Sequence, residues 1–574
     1  MIYDAAARRW LRFLRPRCVI RADRAELVLP ALKRVEELVN EKQLWAAGWI
    51  SYEAGPAFDP SLVVKADKSF PLLWFGLYGE AQPFDLSFAL DGDSASALSW
   101  EPSISQNHYR KSIARIKSCI EHGETYQVNF TYRLTTPFEL DPWEYFLILA
   151  QAQASSYCAF VLTEDWAVCS ASPELFFRLD GDALASRPMK GTAARSLVLD
   201  EDLAQAQWLH NSEKNRAENV MIVDMVRNDM SRVAEVGTVS VPKLFEVEKY
   251  PTVWQMTSTV TAKTRASLTD IMKALFPASS ITGAPKTRTM EIIAELETTP
   301  RRIYTGSVGF FGPNRIAQFN VAIRTVLVDR LTRQAEYGVG GGIVWDSGDL
   351  DELEECRTKA RILTRRAPDF SLLESLLWTP EEGYFLLSGH MTRLQQSAEY
   401  FSFSIYPQAV HDEIFSLSSR LEKIPHKVRV MVNRSGTVTC QGEPLPPGAD
   451  APMPRVCLAP VPVNSSDPFL YHKTTNRSVY NNARAACPGY DDVILWNEKG
   501  EITESCIANI VVEMDDCLYT PPVSCGLLPG TFRAFLLAEG RIRERIILRS
   551  DLPRISKLCL INSVRKMREV ALSL

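Results

Sequence analysis

Residues 157–192 read YCAFVLTEDWAVCSASPELFFRLDGDALASRPMKGT, and the fold follows from how that stretch divides. β-Branched and aromatic residues recur in short runs, each closed by polar or turn-forming residues, which predicts successive strands. Asp180-Gly181 predicts a hairpin, because Asp-Gly suits the positive φ of a type I′ turn. At the end of the last run stands Lys190, before Gly191-Thr192, an amine within one of the most apolar regions of the chain. Farther along, EKNRAENVMIVDMVRNDMSRVAEV (213–236) predicts a helix stopped by Gly237. AQFNVAIRTVLVD (317–329) predicts one more strand, and DLDELEECRTKARILTRRA (349–367) a return to helix. Pro368 marks a boundary near residues 365–370, and a second succession of strands and helices opens with LLESLLWTPEEGYFLLSGHMTRLQQSAEYF (372–401). Two units result: residues 1–366, with a core at about 105–365, and residues 370–574. The fold class is α/β, in the α+β sense.

The 574 residues carry a formal net charge of −5 and no long Lys/Arg run, which argues against nucleic acid as a partner. No window approaches the roughly 18 consecutive apolar residues of a membrane span. The start, MIYDAAARRWLRFLRPRCVI, has charges where a signal peptide needs an apolar core. The 12 cysteines form no CxxC pair, in keeping with reduced, packed thiols. A soluble cytoplasmic protein is expected.

Three acidic positions invite chemistry. Glu218 shares a helix face with Ile222 and Met225, and a lone carboxylate in an apolar stripe needs a cation or a proton. Glu352, Glu355 and Lys359 fall on one face of a later helix. Such faces either hold a hard cation such as Mg²⁺, completed by substrate oxygens, or form a salt-bridged surface. The small residues of FPASSITGAPKTRTMEIIAELE (276–297) and YGVGGGIVWDSGD (337–349) suit either backbone anion cradles or tight turns. Lys190 and Lys473, each read alone, could equally be solvated. In the second half, Lys473 in HKTTNR, Glu504 in ITESCIAN and the turn into a helix at CGLLPGTFR are the parts pyridoxal phosphate requires: an amine, a carboxylate for the ring nitrogen and an anion site.

Taken in order, SPELFFRL, RPMKGTAAR, RAENVMIVDMVRNDMSRV, SSITGAPKTRTMEII, TGSVGFF, NVAIRT and GGGIVWDS resemble the chorismate-utilising enzymes, most closely their aminodeoxychorismate synthase component I branch. The resemblance implies an anthranilate-synthase-like domain of facing antiparallel sheets flanked by helices, with the site between them. It implies Mg²⁺-dependent chemistry on chorismate, a dianionic enolpyruvyl ether. By it, Glu218 and Glu355 match metal-binding glutamates, with Glu352 as a helper. Arg324 and Tyr304 match residues that hold the pyruvyl carboxylate, beside Lys359, and the backbones of Gly283, Gly340 and Gly341 match anion cradles. Lys190 stands where anthranilate synthases resemble one another in carrying alanine. There it matches the nucleophile that attacks C2 and expels the C4 hydroxyl, desolvation favouring its neutral form. Glu174 matches the acid that protonates that hydroxyl, an effect of about 10²–10⁴-fold. Gln127 stands where the isochorismate and salicylate branches carry a water-activating lysine. Gln255 departs from the histidine of many relatives. No GxCxGxQ glutaminase motif occurs, so a separate glutamine amidotransferase subunit or free ammonium is expected to supply ammonia.

Residues 370–574 resemble the class IV pyridoxal-phosphate enzymes, the D-amino-acid aminotransferase-like fold. By that match Lys473 carries the cofactor and Glu504 faces the pyridinium nitrogen. Arg393, the backbone of Leu528, Gly530 and Thr531, and Ser563 hold the phosphate. A homodimer through this domain is expected. KTTNR is closer to the aminodeoxychorismate lyases than to branched-chain aminotransferases, and the first half's product carries the amine on which a lyase would act. The joint expectation is a bifunctional enzyme making 4-aminobenzoate on the folate route. An aminotransferase, or an inactive dimerisation module, in the second half is the alternative.

Overall fold

The computed structural model describes residues 1–574 apart from 87–97, 365–367, 446–452 and 574. Part of the predicted boundary, residues 365–367, lies outside the described residues. The chain packs into two compact units, residues 1–194 with 206–367, and residues 368–574 with 195–205.

In the first unit two ten-stranded sheets lie face to face. The stretch 157–192 serves both. Tyr157–Leu162 and Trp166–Ser172 pair in one sheet, while Leu175–Asp180, Ala183–Arg187 and Met189–Ala194 run in the other. Between the sheets Trp49, Val308 and Phe310 of one face meet Val161, Val168 and Leu327 of the other, and Trp49 stacks on Trp74 at 5.0 Å. Helices cover the outer faces. Ala25–Lys42, Glu213–Ser231 and Leu268–Leu275 pack on one sheet; Gln106–Glu121 and Pro142–Gln153 pack on the other. The first of these buries Val28, Leu32, Val35 and Val39, spaced at the helical period, each worth roughly 1.5–3 kcal/mol.

Two local predictions shift. The hairpin pairs Asp180 with Ala183, so its centre is Gly181-Asp182; only Gly181 has a positive φ, the pattern of type II′ rather than I′. The strand predicted over 317–329 is two, Ile316–Val321 and Thr325–Asp329, one in each sheet. The chain crosses between the sheets at Ala322 to Arg324, and Arg324 takes a left-handed φ of 51° to make the turn.

The second unit holds an antiparallel four-stranded sheet built on Leu372–Thr379 and His426–Val432, a second four-stranded sheet and a five-stranded one. Ile502–Ser505 and Asn509–Met514 carry the chain from the second sheet to the third through a short turn. Among the described residues no helix is long and apolar enough to cross a membrane.

Candidate active sites

Lys190 sits in a β-bulge. Met189 pairs with Thr257 and Thr192 with Gln255, so the Lys190 strand has one residue more than its partner. Gly191 absorbs the excess at φ 103°, and a Cβ there would press on Asn215 and Met256. Bulges re-aim side chains, and here the bulge turns Lys190 into a cavity of about 540 Å³. Two carbonyls freed from the ladder find side chains: Asn219 Nδ2 donates to Lys190 O at 3.1 Å, and Gln255 Nε2 to Gly191 O at 2.8 Å. Gln255 therefore holds the bulge.

The same cavity is lined by Glu174, Glu218, Tyr304, Arg324, Gly340, Gly341, Glu352, Glu355 and Lys359. Each carboxylate has its own partner. Glu218 lies 3.3 Å from Lys190 Nζ and Glu355 2.5 Å from Lys359 Nζ, while Glu352 accepts from the Ser347 hydroxyl at 2.6 Å. Lys359 holds Glu355 below the ordinary carboxylate range; burial moves Glu352 upward. Glu174 is different. Among the described residues no cation is bonded to it; burial pushes it up to about 7, against the pull of the Ser280 hydroxyl at 2.6 Å. The surroundings of Lys190 thus include a carboxylate that its sequence neighbours do not supply. Burial pushes the Tyr304 hydroxyl up to about 12, so it is a hydrogen-bond donor, and the Arg324 guanidinium donates to Lys359 O.

Gly283 is not among the lining residues. It pairs with Val128 at φ 143°, where a Cβ would come within 2.1 Å of Gln127 O, so close strand approach accounts for it. Gln127 is fully buried, and neither its side-chain oxygen nor its nitrogen has a protein partner among the described residues. A Cβ on Gly342 would touch both Gln127 Nε2, at 2.9 Å, and Lys190 Nζ, at 2.7 Å, so the carboxamide stands beside the amine. Among the described residues no three His, Cys, Asp or Glu side chains converge as a ready metal cage. Glu218, Glu352 and Glu355 line one cavity and still suit Mg²⁺, which takes one or two carboxylates and completes its shell with water and substrate.

In the second unit a cavity of about 330 Å³ is lined by Lys473, Glu504, Arg393, Leu528, Gly530, Thr531 and Ser563. The Lys473 segment is fixed by bonds from Leu373 N to Lys473 O and from Thr475 N to Ser371 O, both 2.9 Å. Burial and then Arg393 pull its amine down to about 8. Glu504 accepts from Tyr480 at 2.8 Å and Asn509 at 3.1 Å, and burial pushes it up to about 7. Arg393 is clamped by both oxygens of Glu374, at 2.9 and 2.7 Å; His390 adds a 2.6 Å bond to the same carboxylate and faces Thr531 at 3.2 Å. Burial alone would raise Glu374, yet Arg393 and His390 bring it to about 2. At Gly530, which caps the helix Thr531–Ala538, a Cβ would strike Asn509 Oδ1 at 2.0 Å. An amine near neutrality, a fixed guanidinium, a helix start and a buried carboxyl are the donor set that pyridoxal phosphate needs. Glu374, His390, Tyr480 and Asn509 were missed in the sequence, although His390 and Arg393, at i and i+3, could have been read as one helix face.

Residues 1–365 match the family model of chorismate binding enzymes, and residues 371–572 that of class IV amino-transferases. Aminodeoxychorismate synthase component 1 of Klebsiella aerogenes is 39% identical over 306 residues, 53% of this chain and 66% of that protein. Its namesake from Salmonella typhimurium is 41% identical over 267 residues, 46% of this chain and 58% of that protein. The chain thus spans less than two thirds of the length of these curated relatives. The crystal structure of anthranilate synthase component I from Streptococcus pneumoniae, at 23% identity, aligns with a TM-score of 0.55 over 64% of this chain and 92% of that one, which shows a shared fold. With the first match running through more than half its length, the chain belongs to the chorismate-binding enzyme family.

Proposed function

We propose that the first unit converts chorismate and ammonia to 4-amino-4-deoxychorismate and that the second eliminates pyruvate from it, giving 4-aminobenzoate. What supports this most is that Lys190, Glu174, Glu218 and Glu355, far apart in sequence, line one cavity. Lys190 attacks C2 as Glu174 gives its proton to the leaving C4 hydroxyl; ammonia then adds at C4 and Lys190 departs. Arg324, Tyr304 and Lys359 bind the pyruvyl carboxylate. Glu218, Glu355 and Glu352 would hold Mg²⁺, which when bound would supply positive charge to offset the substrate's ring carboxylate.

In the second unit Lys473, Glu504, Arg393, Ser563 and the Leu528–Thr531 backbone would hold pyridoxal phosphate, which serves as an electron sink when bound. Lys473 takes the C4 proton, and Glu504 keeps a charge opposite the ring nitrogen. The class IV match fits an aminotransferase as well, so the second step needs its own test. The reading includes a separate glutaminase as ammonia source, as the relatives' designation component 1 suggests, and a homodimer through the second unit. Purified protein given chorismate, Mg²⁺ and ammonium should yield 4-aminobenzoate and pyruvate in equal amounts. Aminodeoxychorismate consumed only when a keto or amino acid is present would identify a transaminase instead.

A further inference from the structure

The strand His426–Val432 of the second unit divides its residues between two faces. Val428, Val430 and Val432 are buried in the core, so the period of two sends Lys427 and Arg429 to the opposite face. Both line the cavity that holds Lys473 and Glu504. Lys427 already has an acid, Glu443 on the neighbouring strand, at 3.0 Å. Arg429 does not. Its residue is half-buried, and its Nε, shielded from water, has no hydrogen-bond partner among the described residues. Other arginines of the cavity are engaged: Arg393 with Glu374, Arg533 with Glu544, and Arg477 with Cys506 O. A buried donor of a charged group left unpaired is costly, which points to a ligand that completes it. Pyridoxal phosphate has one phosphate, for which Arg393 and the helix start at Gly530 suffice. The Arg429 guanidinium is therefore surplus to the cofactor.

We propose that Arg429 is a specificity-determining residue of the second site, which binds one of two carboxylates on the amine it acts upon. The inference rests on the reading that the second unit takes 4-amino-4-deoxychorismate. That molecule carries a ring carboxylate and a pyruvyl carboxylate besides its C4 amine. With the amine at the cofactor, the carboxylates are the charged parts left for the cavity to hold. A guanidinium offers a planar fork of donors that matches a carboxylate, so one such pair both binds and orients the ring. An amine with a single carboxylate, or none, would gain less from this cavity.

Steady-state kinetics test this on the full chain loaded with pyridoxal phosphate and given aminodeoxychorismate without Mg²⁺ or ammonium, read by pyruvate release. Arg429→Gln should raise KM about tenfold or more with kcat little changed, the loss of one charge-assisted hydrogen bond. Arg429→Lys should recover part of that loss, and Arg429→Leu carries the test if Arg429→Gln is unfolded by thermal melting. Uptake of pyridoxal phosphate by cofactor-free Arg429→Gln should match the wild type. A tenfold weaker uptake would place Arg429 on the cofactor phosphate and overturn the proposal, as would an unchanged KM. A changed oligomeric state in size-exclusion chromatography would assign Arg429 to a subunit interface and overturn it too. Calorimetry with isophthalate, an unreactive dicarboxylate, needs no turnover. The loaded wild type should bind it about tenfold more tightly than Arg429→Gln, because the first unit is the same in both. If the wild type releases no pyruvate, the lyase reading fails, and equal isophthalate binding by the two proteins would then overturn the carboxylate site by itself.

Discussion

Lys190 and Lys473 both stand on cavity walls, in different surroundings. Lys190 has Glu218 at 3.3 Å, and its charge is felt by Glu352 and Glu355. Burial first, and then Arg393, bring Lys473 down to about 8, with Arg477 acting the same way and Glu374 and Glu504 against it. The carboxyls differ far less: Glu174 and Glu504 are each pushed up to about 7 by burial, and each accepts a hydroxyl. What distinguishes the sites is therefore the company of the lysine. The second presents a buried amine whose hold on its proton is weakened, to about 8. The first holds its amine 3.3 Å from the Glu218 carboxylate.

Lys473→Ala is the sharpest cut between the two. It should abolish 4-aminobenzoate formation and the visible absorbance of the cofactor, while chorismate is still consumed and aminodeoxychorismate accumulates. Chromatography of the three species reads the outcome, and a separate competent lyase should restore the product. Loss of both activities would break the comparison, since the first site would then depend on the second. Lys190→Ala should abolish aminodeoxychorismate, with traces of anthranilate from direct attack at C2, identified by mass and fluorescence. Its melting temperature should fall, because the substitution leaves the Glu218 carboxylate, 20% exposed, without its partner.

Much of this was visible in the sequence, and what was hidden has physical causes. The strands of 157–192, the helix under Glu218 and the lysine, carboxylate and turn of the second half were read from period and residue type. The bulge at Lys190 was not, because a one-residue excess appears only when two strands are set in register. The break at Ala322 to Arg324 was hidden by an unbroken run of strand formers, since neither glycine nor proline marks it. The Glu218 ion pair was missed because desolvation is legible in composition, whereas a neighbour across the fold is not. Gly283 was read as an anion cradle from its motif, yet the Gln127 carbonyl accounts for it.

Glu218→Gln and Glu355→Gln should have graded effects. Each removes one carboxylate from a cavity that offers few to a cation, so the Mg²⁺ concentration for half-maximal aminodeoxychorismate formation should rise several-fold or more. Glu352→Gln should raise it less, because that carboxylate is already held by Ser347. A variant at Glu218 or Glu355 with the wild-type Mg²⁺ titration would assign that glutamate to the fold.

The smallest effect concerns pH and tests the Lys473 surroundings directly. A lysine must be neutral to take up an aldehyde cofactor, and with its folded value near 8 roughly one amine in ten is neutral at pH 7. Pyridoxal phosphate uptake by the cofactor-free protein, followed by absorbance, should rise about tenfold per pH unit below 7 and level off above 8. The same shift has a stability consequence of fixed sign. Unfolded, the amine titrates near 10.4; between 8 and 10.4 the unfolded chain binds the extra proton, so the cofactor-free unit gains stability as pH rises through that window. Arg477→Met removes one of the cations that depress the amine, so the midpoint of uptake should move upward by a fraction of a unit. An uptake midpoint at the ordinary lysine value would mean that water reaches Lys473, and the contrast with Lys190 would disappear.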